Sequence, residues 1–329
     1  MKLGLYAPAR SLFVLAGPMA QAAIKRGHDV VFVRDASRAL KPGDTWTDNE
    51  IQQWWPDALV QEASFFEGDW LAGPARDCDR VQRLWRVSSV HANPTKLAAL
   101  DAWFDSLARP FSDGYDLTHR TVRHGLIPTD GLVDVEADDR RDLLWFPPKT
   151  MIPGAALRAV RWVLVCGLAW VLYRAARRAG RRLIVKTRSK MRLPHVVTRL
   201  ADRIVMEGPL YPHASLSEIA SASLVVCHQS AAGFEAVAAG VRCLSVRLPQ
   251  WHLRTLGNYA LLRAARGSPY AWPGVIDALG VENAVRWIEH WTPDRAPDWD
   301  QRAAYIDTWC GGRVQGTSDW VVDDMERRS

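Results

Sequence analysis

The clearest chemical signal in this sequence is an apolar strand that runs into a turn of small residues and then into a helix. Residues 224–240 read Leu-Val-Val-Cys-His-Gln-Ser-Ala-Ala-Gly-Phe-Glu-Ala-Val-Ala-Ala-Gly. The first N–H groups of a helix have no intrahelical partner, and the positive end of the helix dipole lies behind them. A phosphate can bind at such a turn when small side chains let it approach. The small residues here are Ser230, Ala231, Ala232 and Gly233.

One turn into the same helix lies a carboxylate, Glu235, which is placed to accept hydrogen bonds from ribose hydroxyls. The pattern therefore predicts a nucleotide-binding loop from Cys227 to Glu235. An ordinary strand-to-helix turn of an α/β protein has a similar composition, so this alternative stays open.

The elements that must position this loop alternate between strands and helices along the whole chain. Strands are predicted at Lys2 to Tyr6 and Asp29 to Val33, and a helix with apolar spacing separates them. The alternation resumes after the polar segment 133–141, which has the composition of a linker. We therefore expect an α/β fold of two Rossmann-like domains, 1–140 and 141–329, with a cleft between them. In such sheets ligands lie at the carboxyl ends of the strands.

The composition narrows the class of protein. The chain has 329 residues, 48% of them apolar, and a formal net charge of +6, which suits two packed domains. Its arginine excess between Arg158 and Arg192 suits a polyanionic ligand or an anionic membrane, although such surfaces also occur without function.

The five cysteines are widely spaced and odd in number, which predicts neither a disulfide framework nor a zinc site. The N-terminus has the pattern of a strand, so we expect a cytoplasmic protein.

Two segments, one apolar and one rich in tryptophan, each allow two interpretations. Trp162 to Tyr173 contains no charged residue, but it is shorter than the roughly 20 residues of a membrane span. It is either a buried helix or one that lies in the membrane interface with arginines at both ends. The segment 45–103 is rich in tryptophan, which favours aromatic packing between helices over a stacking surface for bases or sugars.

The loop at 224–240 resembles the donor-binding loop of GT-B glycosyltransferases. The positions that match its pattern are His228, Ser230, Gly233, Glu235, Ala236 and Gly240. Three other segments are similar to parts of this fold: Gly27 to Val33, Val122 to Pro128 and Asp142 to Lys149. The His-Gly pair at 124–125 resembles a segment of capsule transferases and CDP-glycerol glycerophosphotransferases. However, Lys-Thr-Arg-Ser-Lys at 186–190 and His-Gln-Ser-Ala at 228–231 depart from the glycerophosphotransferase pattern, which favours glycosyl transfer.

The resemblance assigns roles to particular side chains. It implies that His124 removes the proton of the acceptor hydroxyl and that His228 and Gln229 join the donor-binding loop. Alternate residues of a strand share one face, so the cationic side chains at 186, 188 and 190 are expected to lie on the same side. There they would neutralise the negative charge of the departing diphosphate. These phosphate-neutralising candidates are Lys186, Arg188 and Lys190, with Lys149 as a further candidate. No metal and no cofactor beyond the nucleotide-activated donor is expected.

The resemblance thus implies a glycosyltransferase that moves a sugar from a nucleotide-activated donor to a cell-envelope glycan or lipid-linked acceptor. Peripheral contact with an anionic membrane is expected through Arg158 to Arg182, and no nucleic-acid partner is expected. Three alternatives stay open: a CDP-glycerol-type glycerophosphotransferase, a nucleotide-sugar epimerase of similar fold, and a non-catalytic module that binds surface polymers.

Overall fold

The computed structural model describes residues 1–6, 13–35, 46–63, 83–87, 113–115, 121–123, 127–132, 140–148, 155–187, 192–206, 214–228, 230, 232–248, 270–293 and 296–327. These residues form two compact units. Unit 1 holds the described residues of Met1–Gly131 and Ile306–Ser329, and unit 2 those of Leu132–Gly208 and Ala214–Tyr305.

Among the described residues, strands and helices alternate from residue 2 to residue 63 and from residue 142 to residue 247, as the apolar pattern predicts. The strands are β1 (Lys2–Tyr6), β2 (Asp29–Asp35), β3 (Leu59–Ala63), β4 (Arg83–Val87), β5 (Asp113–Tyr115), β6 (Thr121–Arg123), β7 (Asp142–Trp145), β8 (Arg182–Lys186), β9 (Arg203–Val205), β10 (Ala222–Cys227), β11 (Cys243–Arg247) and β12 (Ile276–Gly280). The helices are α1 (Phe13–Lys25), α2 (Asp48–Trp54), α3 (Ala155–Arg178), α4 (His195–Leu200), α5 (Ala214–Ala220), α6 (Ala232–Ala238), α7 (Val281–Glu289), α8 (Trp299–Trp309) and α9 (Thr317–Arg327).

Each unit is built on one sheet with the Rossmann order of strands. The sheet of unit 1 has the order β3-β2-β1-β4-β5-β6, and that of unit 2 has the order β12-β11-β10-β7-β8-β9. All pairs in unit 2 are parallel, whereas β5 of unit 1 is antiparallel to β4 and β6. Strands of β-branched and apolar residues suit such sheets because helices cover both faces. The predicted α/β class with two Rossmann-like units is confirmed.

The C-terminal helix α9 belongs to unit 1, where it packs on α1. Val321, Val322 and Met325 join the core formed by α1 and its neighbouring strands. Arg26, next to α1, forms ion pairs with Asp323 and with Glu326 of α9. The division into units therefore differs from the predicted domains, which assign the whole of 141–329 to the second domain. The difference arises because packing of α9 joins residues that are almost 300 positions apart in the sequence.

The tryptophans at the start of the Trp-rich segment pack in the core of unit 1. Trp46 and Trp55 are 1% and 2% exposed. Their rings lie 5.4 and 6.1 Å from that of Phe13 on α1, and Phe32 of β2 stacks on Phe13 at 5.2 Å. These tryptophans thus pack between a helix and a strand, where their rings bury a large apolar area.

The apolar helix of unit 2 is longer than the uncharged segment at its centre. α3 has 24 residues and connects β7 to β8. By length and composition its part Arg158–Arg178 could cross a membrane. One face of α3, with Val165, Leu168 and Leu172, packs against the sheet in the core of unit 2. This face makes α3 the crossover helix of a βαβ unit.

Candidate nucleotide-binding site

The candidate site lies where the strand order of unit 2 reverses. From β7 the chain proceeds outward through β8 and β9, and then it returns to the other side of β7 to form β10, β11 and β12. In α/β sheets the loops that follow the two strands at such a reversal diverge, and the crevice between them is the usual ligand site. The predicted nucleotide-binding loop follows β10 directly.

A histidine and a tryptophan join the two strands on either side of this point. The indole Nε1–H of Trp145, at the end of β7, donates to Nε2 of His228, 3.1 Å away. Nδ1 of His228 lies 3.0 Å from the carbonyl oxygen of Val246 on β11. Since Nε2 accepts, Nδ1 must carry the proton and donate to Val246. The geometry thus assigns His228 the neutral Nδ1–H tautomer and holds the start of the loop against three strands.

The surroundings of His228 keep it neutral. Burial above all, together with the positive charge of Arg161, lowers its pKa to about 3, although the hydrogen bond to Val246 acts in the opposite direction. Both ring nitrogens are already used by protein groups, so a hydrogen bond from His228 to the donor nucleotide would require one of these bonds to break. Its expected contact with the donor stays a prediction, whereas its positioning of the loop follows from the contacts.

The depressed pKa of His228 predicts a loss of stability in acid. Between about pH 3 and pH 6.5 the unfolded chain binds a proton at this position and the folded chain does not, so stability falls as the pH is lowered through this range. Between about pH 7 and pH 5 we expect His228 to remove about 2 kcal/mol from the free energy of unfolding. Urea unfolding of the protein and of His228→Gln at both pH values measures this contribution. An equal loss in the variant would show that other groups cause the pH dependence.

Arg161 is a further candidate for the site, to which the sequence interpretation did not assign it. It lies in the second turn of α3, which begins at the carboxyl edge of the sheet because it follows β7. Burial lowers the pKa of its guanidinium, and no carboxylate counteracts this. Its Nε is buried without a hydrogen-bond partner, and Arg161 makes no ion pair with any residue that the structure describes. A half-buried cation beside neutral His228 is suited to bind an anion.

A residue of the loop, Ser230, caps the N-terminus of α6. Ser230 accepts hydrogen bonds from the first turn of α6, at Oγ from the N–H of Ala232 (3.4 Å) and at its carbonyl oxygen from the N–H of Gly233 (3.0 Å). Since α6 has only seven residues and two of its first amides are occupied, positive charge for a phosphate must come from side chains such as Arg161. The binding of a phosphate by Ala232 and Gly233 stays a prediction.

Helix α6 is buried along its whole length and lies close to the sheet. A Cβ atom at Gly233 would face the sheet, 3.4 Å from Cδ1 of Ile276 and 3.8 Å from Sγ of Cys243. These distances are ordinary van der Waals contacts, so Gly233 lies against the sheet without a clash that would exclude a methyl group. Glu235 is also buried, at 8% exposure. Its contact with the ribose of a donor stays a prediction.

Two arginines from distant parts of unit 2 hold the other end of α6. Arg140 donates from Nη1 to the carbonyl oxygen of Gly240 (2.6 Å) and from Nη2 to that of Ala239 (2.7 Å). Arg302 of α8 donates from Nε to Val237 and from Nη2 to Ala238, both at 2.7 Å. The two guanidinium groups thus bind the last two carbonyl groups of α6, Val237 and Ala238, and those of the two residues that follow the helix. These contacts fix the position of α6 and of the loop before it.

Of the four predicted phosphate-neutralising cations, Lys186 is described. It ends β8 at the same edge of the sheet, is 7% exposed, and its Nζ donates to the carbonyl oxygen of Thr187 at 3.1 Å. The structure thus brings Lys186, His228 and Ser230 to the carboxyl edge of one sheet. The remaining predicted site residues lie outside the described residues: His124, Lys149, Arg188, Lys190, Gln229 and Ala231.

The described residues contain no group of histidine, cysteine and acidic side chains that could hold a metal ion. The sequence does contain an Asp-x-Asp pattern at Asp298 and Asp300. Asp298 accepts a hydrogen bond at Oδ1 from the N–H of Gln301 (3.1 Å) and thereby caps the N-terminus of α8. The pattern at this position serves to start a helix.

Comparisons with known proteins connect the chain to solved structures. No protein-family model matches the chain, and no curated protein matches it. It is similar over 99% of its length to a putative UDP-N-acetylglucosamine 2-epimerase from Listeria monocytogenes, with 96% of that chain covered, 10% identity and a TM-score of 0.49. The chain is also similar to UGT89C1 of Arabidopsis thaliana complexed with UDP-L-rhamnose. The match covers 98% of both chains, with 10% identity and a TM-score of 0.49. For MurG of Acinetobacter baumannii, coverage is 99% of both chains, identity 10% and TM-score 0.43.

Proposed function

We propose that this protein is a glycosyltransferase that binds a nucleotide-activated sugar at the carboxyl edge of the sheet of unit 2. The observation that carries the proposal is Arg161, a half-buried guanidinium without a partner among the described residues, beside neutral His228. These residues lie at the strand-order reversal, where α/β sheets bind nucleotides. The resemblance of residues 224–240 to a donor-binding loop supports the same location.

The charge at this edge suits a diphosphate. An arginine in a partly dehydrated site binds phosphate oxygens with two parallel hydrogen bonds, and it stays protonated in the absence of a carboxylate. Lys186, buried at the end of β8, adds a second cation to the same edge. Both cations stabilise the negative charge that develops on the nucleoside diphosphate when it departs from the sugar.

The chemistry that we propose is metal-independent transfer to a hydroxyl group. The acceptor oxygen attacks the anomeric carbon, the bond from that carbon to the diphosphate breaks, and a base takes the proton of the hydroxyl. We assign the base to His124 from the sequence resemblance. A cell-envelope glycan or lipid-linked precursor is the acceptor that this resemblance supports, with synthesis in the cytoplasm. Attachment to a membrane depends on a different surface of unit 2 and is a separate proposal.

Nucleotide binding is the first test of this function. A thermal-shift screen of the purified protein against UDP, GDP, CDP, CMP and TDP is expected to show stabilisation by one base. A ligand at one hundred times its dissociation constant stabilises by about 2.7 kcal/mol. We expect Glu235→Gln to lower this stabilisation if Glu235 binds the ribose. Arg199→Gln, an exposed change on α4, serves as the matched control and leaves it unchanged. Absence of a shift with every nucleotide would favour a non-catalytic module.

The reaction is tested with the nucleotide sugar whose base gives the shift. Transfer predicts release of the nucleoside diphosphate that depends on an added glycan or lipid-linked acceptor. Conversion of the nucleotide sugar into an isomer without any acceptor would contradict transfer and indicate an epimerase. Mass spectrometry of the acceptor and chromatography of the nucleotide sugar distinguish these outcomes.

A further inference from the structure

Helix α3 carries apolar residues on its outward face as well as on the face that packs in the core. On the outward face Val163 is 68% exposed, Trp170 is 52% exposed and Val160 is 40% exposed. The small residues Ala156, Ala159 and Gly167 are also exposed. A helix that covers a sheet normally turns charged or polar side chains toward solvent. The outward apolar face of α3, defined by Val160, Val163 and Trp170, is therefore a surface that favours a partner.

The charges around this face are all positive. Helix α3 contains no acidic residue, and its exposed arginines Arg158, Arg174 and Arg178 form no ion pair with a carboxylate of the described residues. By contrast, Arg177 forms an ion pair with Asp202 at 2.6 Å, and Arg182 forms one with Asp142 at 2.8 Å. Helical spacing places Arg174 and Arg178 one and two turns after Trp170. The apolar face thus ends in two arginines whose charge is uncompensated by carboxylates.

We propose that the outward apolar face of α3 binds the surface of an anionic lipid membrane. Helices that lie in a membrane interface combine an apolar face, tryptophan at the boundary and flanking Arg or Lys. Trp170 stacks on Tyr173 at 5.9 Å between ring centroids, so two amphipathic rings lie together beside the arginines. The side chains of Val160 and Val163 enter the acyl boundary while Arg174 and Arg178, on the same side of the helix, contact anionic headgroups.

The same observations disfavour insertion across the bilayer and pairing with a second copy. A transmembrane helix would have to leave the core of unit 2, where Val165, Leu168 and Leu172 are fully or almost fully buried. A symmetric contact between two α3 helices would bring arginines together on a helix that offers no carboxylate to pair with them. An anionic lipid surface supplies the negative charge that a second α3 helix lacks, and binding to it leaves the core of unit 2 intact.

Co-sedimentation with vesicles tests the proposal on the full-length protein without nucleotide, so its outcome is independent of the proposed reaction. Vesicles of phosphatidylcholine alone are compared with vesicles that also contain phosphatidylglycerol, at low and at high salt. We expect binding to the anionic vesicles at low salt, with a loss on adding salt because the headgroup attraction is screened. Trp170→Glu is expected to lower the partition coefficient roughly ten-fold. Arg174→Gln is expected to lower it about five-fold.

Matched controls separate this surface from general effects. Met206→Glu introduces the same charge at a residue of similar exposure, 55%, outside α3, and Arg199→Gln removes an exposed arginine of α4. Both are expected to bind vesicles as the unchanged protein does, and circular dichroism confirms that each variant is folded. Absence of binding to anionic vesicles, or equal losses in Trp170→Glu and Met206→Glu, would overturn the proposal. So would a concentration-dependent dimer that Trp170→Glu abolishes in the absence of vesicle binding.

Discussion

Replacing Arg161 with methionine is expected to lower turnover of the nucleotide-activated sugar by about a hundred-fold to a thousand-fold, the usual effect of removing one preorganised group that stabilises developing negative charge. The same change is expected to make the ligand-free protein more stable. Methionine keeps much of the length of the side chain and removes a cation whose burial lowers its pKa and which has no partner among the described residues. A variant that loses turnover but gains stability indicates that the original side chain is retained for ligand binding and not for folding.

Steady-state kinetics and thermal unfolding with and without the nucleoside diphosphate measure these effects. The shift of the melting temperature by nucleotide should fall in Arg161→Met, although the melting temperature of the free protein rises. Arg199→Met, at an exposed position of α4, controls for loss of an arginine and should alter neither quantity. A variant with unchanged turnover and an unchanged nucleotide shift would remove Arg161 from the site.

The second large effect concerns the two arginines that bind the C-terminal end of α6. Loss of Arg302 would leave the carbonyl groups of Val237 and Ala238 without their charged donors, and loss of Arg140 would do the same to Ala239 and Gly240. Hydrogen bonds to charged groups contribute about 1.5 to 3 kcal/mol each, so each arginine-to-alanine change should lower the free energy of unfolding by about 3 kcal/mol. The two changes share one short helix and are expected to be non-additive.

Urea unfolding of Arg140→Ala, Arg302→Ala and the double variant measures the losses. Arg286→Ala is the matched control, because Arg286 forms an exposed ion pair with Glu282 on α7. Such a pair contributes only about 0.5 kcal/mol. Arg302→Lys should recover little of the loss, since one ammonium group does not reproduce the two-pronged geometry of a guanidinium. Losses in the arginine variants no larger than that of Arg286→Ala would show that these bonds do not hold α6 in place.

The sequence predicted the parts of the fold that depend on local pattern. The predicted strands at Lys2 to Tyr6 and Asp29 to Val33 form as β1 and β2, and the apolar strand before the predicted loop forms as β10, because β-branched and apolar runs suit a sheet covered on both faces. The loop after β10 also follows from local pattern, since small residues between a strand and a helix specify a tight turn.

Contacts between residues far apart in the sequence could not be predicted from local pattern, because they form only when the elements pack together. Arg161 reads as a flank of an apolar segment, and its lack of a partner emerges only when α3 lies against the sheet. Arg302 reaches Val237 across 65 positions. The position of Arg161 early in the first crossover helix of the second sheet was the available signal, because that end of the helix lies at the ligand edge.

The return of α9 to unit 1 governs the order in which the protein can mature during synthesis. The core of unit 1 needs Val321, Val322 and Met325, and Asp130 accepts the backbone N–H groups of Thr317 and Ser318 at 2.9 and 2.6 Å. Until α9 leaves the ribosome, one side of α1 therefore lacks its cover, even though β1 and β2 precede α9 by almost 300 residues. Unit 2 ends at Tyr305, so all of its residues are synthesised before α9. Unit 2 is thus able to fold before unit 1. In the nascent chain, unit 1 meanwhile exposes apolar surface that chaperones bind.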